Sequence, residues 1–164
     1  MKYIFILISI VLIQSCGLKK GNTNRAGENF PESTLTTLDG KVMDTREWSR
    51  GEAFLLFYFS TDCPHCQKEL IEMKKESRLL EKRKILMVTW NRNFDEVNEY
   101  GKQSGYAELE NVTIAVDSDR NLASHFSIRS FPFIVLYSKD RKFIKSFRGE
   151  IEPKVILSDK NSES

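Results

Sequence analysis

The sequence predicts an α/β domain in which a central mixed β-sheet is flanked by helices and preceded by an N-terminal β-hairpin. Short apolar runs rich in aromatic and β-branched residues alternate with longer segments of helical periodicity. Only a turn separates the last two apolar runs, so they form a hairpin and the sheet combines parallel with antiparallel pairs. The chain has 164 residues and no internal repeat, which fits one such domain.

The strands are predicted from runs of apolar residues. Asp39-Gly40 separates two short β-prone runs and indicates the N-terminal hairpin. The run "FLLFYF" at 54–59 has no polar position, as expected of a strand buried on both faces. Four more strands follow by the same criterion, the third of them with a proline at its entry: 85–90, 112–116, 131–137 and 142–148.

Helices are predicted between these strands. One begins at Pro64, a residue suited to the first helical position, and carries apolar or small residues at intervals of four and three. A second helix, 94–106, weakens at Gly101 and ends near Gly105. The inward face of the first helix is predicted to comprise Cys66, Leu70, Met73, Ser77 and Leu80, and two short helices are predicted at 119–128 and 152–160.

The N-terminus resembles the signal of a bacterial lipoprotein. Lys2 precedes an apolar run, residues 3–13, which is shorter than the ~20 residues of a membrane-spanning helix and has the length of a secretory signal. The run ends in the tetrapeptide Ile13-Gln14-Ser15-Cys16, which resembles a bacterial lipobox. In lipoproteins the signal is cut just before a cysteine that has been diacylated, so Cys16 would begin the mature chain and carry the lipid. The alternatives are an ordinary secretory signal with a chance cysteine and, less favoured, a single-pass membrane anchor.

This interpretation divides the chain into three parts. Residues 1–15 are a lipoprotein signal peptide, residues 16–29 are the lipidated cysteine with a flexible tether, and residues 30–160 are the folded domain. The protein is then expected in the bacterial cell envelope, anchored through lipid on Cys16 and facing the periplasm or extracytoplasmic space. The chain has 25 basic and 23 acidic residues, and this near balance argues against nucleic acid as a partner.

The motif "CPHC" holds the two remaining cysteines, Cys63 and Cys66. The turn after the strand at 54–59 places Cys63 at a helix N-terminus, where free amides and the helix dipole favour a thiolate. Cys66 faces inward and should have the higher pKa. A protonated His65 would further favour the thiolate. The alternatives are half of a zinc site, for which the only other histidine is His125, an inert disulfide, or two free core cysteines.

With these residues in place, the chain resembles the thioredoxin superfamily, specifically TlpA/ResA-type thiol–disulfide oxidoreductases with a redoxin-like domain. The segments "FPESTLTTLDGKVMD", "FLLFYFSTDCPHCQKEL" and "IAVDSDRNLASHFSIRSFPFIVLYSKDRKFIKSFRG" carry the resemblance over nearly all of 30–150. It implies that Cys63 and Cys66 form a redox-active disulfide and that Pro132 is cis and packs against them. It also implies that the backbone of Phe131 pairs with the substrate peptide and that Glu69 tunes the cysteines. The alternatives are an edge-strand proline and a solvated helix glutamate.

The resemblance implies an enzyme that exchanges disulfides with cysteine-containing exported proteins and with an upstream electron donor or acceptor, without a cofactor or metal. Two features depart from the family. Phe57 replaces a buried acid or amide, and "CPHC" is the motif of DsbA-type oxidants. Two other functions are alternatives. One is a thiol peroxidase, which is disfavoured because Ser60 rather than Thr61 lies three residues before Cys63, and the other is a metal-carrier or binding protein.

Overall fold

A computed structural model describes residues 22–157, which form seven strands and five helices. The strands are β1 Thr34–Thr37, β2 Val42–Asp44, β3 Phe54–Tyr58, β4 Lys84–Thr89, β5 Val112–Val116, β6 Phe133–Tyr137 and β7 Phe143–Arg148. The helices are α1 Pro64–Lys75, α2 Ser77–Leu80, α3 Phe94–Ser104, α4 Asn121–His125 and α5 Pro153–Leu157.

The strands form one mixed sheet in the order β2-β1-β5-β4-β3-β6-β7. β3 and β5 both run parallel to β4, whereas β6 is antiparallel to both β3 and β7. The hairpin β1–β2 joins the sheet through an antiparallel contact of β1 with β5. The predicted fold class, a mixed sheet flanked by helices with an N-terminal hairpin, is therefore confirmed.

The central strand β3 divides the core into two apolar layers. All five of its residues are buried, and alternate side chains point to opposite faces of the sheet. Leu55 and Phe57 pack with Cys66 of α1 in one layer. Phe54 and Leu56 belong to the other layer, which includes α4. A strand buried on both faces leaves its ends as the accessible positions, and α1 begins just beyond one of them.

The segment 22–29, predicted to be part of a flexible tether, instead runs beside β7. The amide of Asn22 donates to the Ser146 carbonyl at 2.7 Å, and the amide of Ser146 donates back at 2.9 Å. Further along, the Phe143 amide donates to the Glu28 carbonyl at 2.7 Å. Backbone pairing of this kind needs no apolar period, so the polar sequence did not reveal it. The predicted signal peptide and Cys16 lie outside the described residues.

The helix predicted from Pro64 to Leu80 is interrupted at Glu76. This residue has φ −100° and ψ 40°, and its amide bonds to the Met73 carbonyl three residues back, which tightens the turn that ends α1. The prediction that Ser77 faces inward is therefore wrong, because Ser77 begins α2 and is exposed. α3 ends at Gly105, as predicted, and this glycine adopts the left-handed conformation with φ 66°. Between residues 22 and 157, no helix has the length and apolar content needed to cross a membrane.

Candidate active site

Cys63 is the N-cap residue of α1. Its backbone is extended, with φ −93° and ψ 106°, and its sulfur accepts a hydrogen bond from the Cys66 amide at 3.2 Å. Pro64 occupies the first helical position, where a missing amide hydrogen costs nothing. The Cys63 side chain is half-buried, so a disulfide from solvent can approach a sulfur that already faces the positive end of the helix.

Cys66 lies one turn further along α1 and is fully buried. Both cysteines are free thiols, so this is the dithiol form of the pair. Burial, and secondarily the hydrogen bond with Cys63, raises the pKa of the Cys66 thiol. The predicted asymmetry in exposure, with Cys63 accessible and Cys66 shielded, is therefore present.

Pro132 is brought to the cysteine motif by the pairing of β3 with β6. The two strands are antiparallel, and Tyr58 at the end of β3 lies opposite Phe133 at the start of β6. The loop that leads to Cys63 therefore begins beside Pro132, which is buried. The Phe131-Pro132 peptide bond is cis, as the family resemblance implied.

Three aromatic rings surround this corner of the sheet. Phe131 stacks on Tyr58 with ring centroids 6.3 Å apart and meets Trp90 edge-on at 5.0 Å. The guanidinium of Arg120 lies 4.6 Å from the centroid of the Trp90 ring. Phe131 and Trp90 are half-buried, so part of each ring remains on the surface next to the cis peptide bond.

Tyr58 is held in this cluster by a buried carboxylate. Its hydroxyl donates to Asp117 Oδ2 at 2.9 Å, and Asp117 is fully buried. The same carboxylate accepts from the amides of Asn121 at 2.9 Å and Ala123 at 3.1 Å, which are part of α4. Burial and the nearby Asp117 raise the pKa of Tyr58, so the phenol stays protonated as a donor.

Glu69 is buried on the same face of α1 as Cys66, with only 2% of its surface exposed. Its Oε2 accepts from the Ile151 amide at 2.9 Å, whereas Oε1 has no hydrogen-bond partner among the described residues. Burial raises the pKa of this carboxyl to about 7, and the Ile151 amide opposes the rise. The structure thus excludes the alternative of a solvated helix glutamate.

His65 lies on the exposed side of α1 and pairs with a residue that the sequence did not indicate. Its Nδ1 is 2.5 Å from Glu150 Oε1, and Lys68 Nζ is 2.5 Å from Glu150 Oε2. Hydrogen bonds from Lys68 and then His65 hold the pKa of Glu150 below its usual value. Glu150 follows β7 and is remote in sequence from the motif, so no local pattern could have revealed it.

Two other residues from the sequence analysis have clear positions. Phe57, which replaces the polar residue expected from the family, is fully buried in the same apolar layer as Cys66. Its ring cannot relay a proton. His125 lies at the end of α4, which packs in the opposite core layer from α1, and its Nε2 is 2.5 Å from an Arg25 nitrogen.

Comparisons with known proteins agree with this geometry. The Redoxin family profile matches residues 25–162. The thiol-disulfide oxidoreductase ResA of Halalkalibacterium halodurans is 24% identical over 134 residues, which cover 80% of this chain and 73% of the relative.

Among solved structures, the thioredoxin domain of a thiol-disulfide oxidoreductase from Bacteroides vulgatus has a TM-score of 0.66 at 17% identity, covering 81% of this chain and 96% of that one. The exposed lipoprotein thioredoxin Etrx1 of Streptococcus pneumoniae has a TM-score of 0.57 at 22% identity, covering 78% and 96%. These structures show that the fold is thioredoxin-like. Because the family profile covers most of the sequence, this chain belongs to the Redoxin family.

Proposed function

We propose that this protein is an extracytoplasmic thiol–disulfide oxidoreductase that exchanges disulfides with cysteine-containing exported proteins. The observation that carries the proposal is the asymmetry of its cysteine pair at a helix N-terminus. Cys63 is accessible, and its sulfur accepts a hydrogen bond from the Cys66 amide, whereas Cys66 is buried and its thiol has a raised pKa. The family relative from Halalkalibacterium halodurans, which is named a thiol-disulfide oxidoreductase, supports the same activity.

The reaction that suits this asymmetry has two steps. The Cys63 thiolate attacks a substrate disulfide, which forms a mixed disulfide and releases one substrate thiol. Cys66 then loses its proton and attacks the Cys63 sulfur, which releases the second substrate thiol and closes the Cys63–Cys66 disulfide. The reverse sequence transfers that disulfide to a partner dithiol. The accessible cysteine begins the exchange and the buried one ends it.

Glu69 is proposed as the group that accepts the Cys66 proton. It lies on the same helical face three residues along, is buried, and has a free Oε1. A carboxyl with a pKa of about 7 can both take and return a proton near neutral pH. No other described group on this side of Cys66 combines burial with that pKa.

The substrate is proposed to bind as an added strand along the backbone of Phe131, beside Pro132. Recognition through main-chain hydrogen bonds accepts many sequences, which suits an enzyme with several protein substrates. The exposed parts of the Phe131 and Trp90 rings would then contact the substrate side chains next to its cysteine.

The activity is tested with two cysteine variants. Cys63→Ser should abolish reduction of insulin disulfides, because the attacking sulfur is gone. Cys66→Ser should accumulate a mixed disulfide that mass spectrometry detects, because nothing resolves it. If both variants retain wild-type activity, the proposal is wrong.

The preferred direction of exchange follows from the reduction potential of the pair in a glutathione or thioredoxin buffer. A value of about −120 mV indicates an oxidant, and a value of about −270 mV indicates a reductant. The scaffold favours a reductant and the motif "CPHC" favours an oxidant, so this measurement decides between them.

The cellular location is proposed to be the cell envelope, with lipid on Cys16 as the anchor. The lipobox-like sequence supports this, and one structural neighbour is itself described as an exposed lipoprotein thioredoxin. Labelling of growing bacteria with a palmitate analogue should mark the wild type but not Cys16→Ser. A label that persists in the variant would contradict the anchor.

A further inference from the structure

Three consecutive residues after β7 contact three separate parts of the active site. The Gly149 amide donates to the Pro132 carbonyl at 2.8 Å. The Ile151 amide donates to Glu69 at 2.9 Å. Between them, the Glu150 carboxylate reaches His65 on the outer face of α1. Glu150 is therefore fixed by backbone bonds on both sides, and its carboxylate is presented at a defined place.

The contact with Glu150 determines which nitrogen of His65 carries the proton. A carboxylate only accepts hydrogen bonds, so Nδ1 must be the donor across the 2.5 Å separation. The second bond, from Lys68, keeps the other carboxylate oxygen occupied and the group ionised. In neutral imidazole, a proton on Nδ1 leaves the lone pair on Nε2. Nε2 makes no hydrogen bond within the described part of the chain.

We propose that Glu150 is a positioning residue for disulfide exchange, which acts by fixing His65 with Nδ1 protonated and Nε2 free to carry a proton at the active-site surface. The proposal rests on the proposed oxidoreductase activity and adds a proton route for its first step. His65 lies in the first turn of α1, two residues after the N-cap cysteine that begins the exchange.

In this step one proton passes from Cys63 through His65 to the departing substrate sulfur. The Cys63 thiol gives its proton to Nε2, and the resulting thiolate attacks one sulfur of the substrate disulfide. The bond between Cys63 and that sulfur forms as the substrate disulfide breaks. The departing sulfur takes the electron pair of the broken bond and the proton from Nε2. His65 ends the step in its starting form, and Glu150 accepts the Nδ1 hydrogen bond throughout.

The test measures this single step in the full-length chain with Cys66→Ser, where the reaction stops at the mixed disulfide. Oxidised glutathione is the probe, and acid quenching followed by mass spectrometry gives the rate constant at neutral pH. A parent that fails to react contradicts the oxidoreductase proposal itself. The role of Glu150 is then judged only from variants of a parent that reacts.

We expect Glu150→Ala to lower the rate constant by about threefold to tenfold. This is less than the ~10²–10⁴-fold of enclosed acid–base groups, because the His65 side chain is 69% exposed. Glu150→Gln keeps an acceptor oxygen and should stay within about twofold of the parent. The matched control is Glu152→Ala, which removes an exposed carboxylate from the same segment and should change the rate less than about 1.5-fold.

A double-mutant cycle separates a role through His65 from a general effect on the fold. In a His65→Gln background, Glu150→Ala should cause no further loss beyond about 1.5-fold. The proposal is overturned if Glu150→Ala reacts like the parent, or if it causes the same loss with and without His65. It is also overturned if Glu150→Gln loses as much as Glu150→Ala, since charge rather than hydrogen-bond acceptance would then be responsible.

Discussion

Exchange of Glu69 for glutamine should stabilise the protein above neutral pH. The carboxyl is 2% exposed, and its burial raises the pKa from the ordinary 4.5 to about 7. Between these two values the folded protein holds a proton on Glu69 that the unfolded chain has released. Stability therefore falls as pH rises through this interval and is constant on either side of it. Glutamine keeps an acceptor for the Ile151 amide but carries no charge.

The size of the effect follows from the displacement of the pKa. A displacement of one pH unit corresponds to about 1.4 kcal/mol, so the full displacement corresponds to about 3 kcal/mol. A groove of about 360 Å³ beside Glu69 admits solvent, which screens part of this cost. The quantity of interest is the free energy of unfolding of Glu69→Gln minus that of the wild type. We therefore expect this difference to be about 2 kcal/mol larger at pH 8 than at pH 4.5.

Urea unfolding of the reduced protein from pH 4.5 to pH 8 measures this difference. Groups shared by both proteins cancel, so the comparison isolates Glu69. Glu99→Gln, which changes an exposed carboxylate on α3, is the control and should stay within about 0.5 kcal/mol of the wild type throughout. A difference between Glu69→Gln and wild type that is independent of pH would refute the argument from burial.

Three further substitutions test other parts of the structure. Tyr58→Phe removes the donor to Asp117 and should lower the free energy of unfolding by about 1–3 kcal/mol in urea; an unchanged value would contradict a role for this bond. Gly101→Ala places a Cβ 2.6 Å from Ile114 Cδ1 and should cost about 1–3 kcal/mol despite the better helix propensity of alanine, so a stabilised variant would count against this packing. Phe131→Ala should raise KM for a disulfide-containing peptide by about threefold to tenfold and change the rate with oxidised glutathione less than about twofold; equal effects on both substrates would argue against peptide binding at this ring.

The sheet could be predicted from sequence because its strands are unusually apolar. The runs that became β3, β4, β5 and β6 have few polar positions, and strands buried on both faces require that composition. Glycine signalled the end of α3 at Gly105, where a positive φ favours that residue. These signals are local, so one sequence suffices to detect them.

The errors arose where structure depends on distant contacts. The break at Glu76 follows no proline or glycine, so helical periodicity continued through it to Leu80. Residues 22–29 have a polar composition typical of a linker, and only their pairing with β7 orders them. A β-ladder is formed by backbone groups, which composition does not report.

In the candidate site too, residues in a local sequence setting could be predicted, whereas contacts between distant residues could not. Cys63, Cys66 and Pro132 stand in recognisable local settings, namely a strand–turn–helix and a strand entry, so the sequence placed them. Glu150 could not be found in this way, because 85 positions separate it from His65 in the sequence. Burial of Glu69 also depends on the segment after β7, whose Ile151 amide closes over it.

Residues 22–29, which precede the β1–β2 hairpin, protect one edge of the sheet. An outermost strand with free amides and carbonyls can recruit a second molecule and begin aggregation, and β7 would be such a strand. Residues 22–29 of the same molecule form backbone hydrogen bonds with part of the outer edge of β7. At the opposite margin, β2 is only three residues long and ends at a charged aspartate. Removal of residues 22–29 would expose the outer edge of β7, so a shortened chain made for expression should begin no later than Asn22.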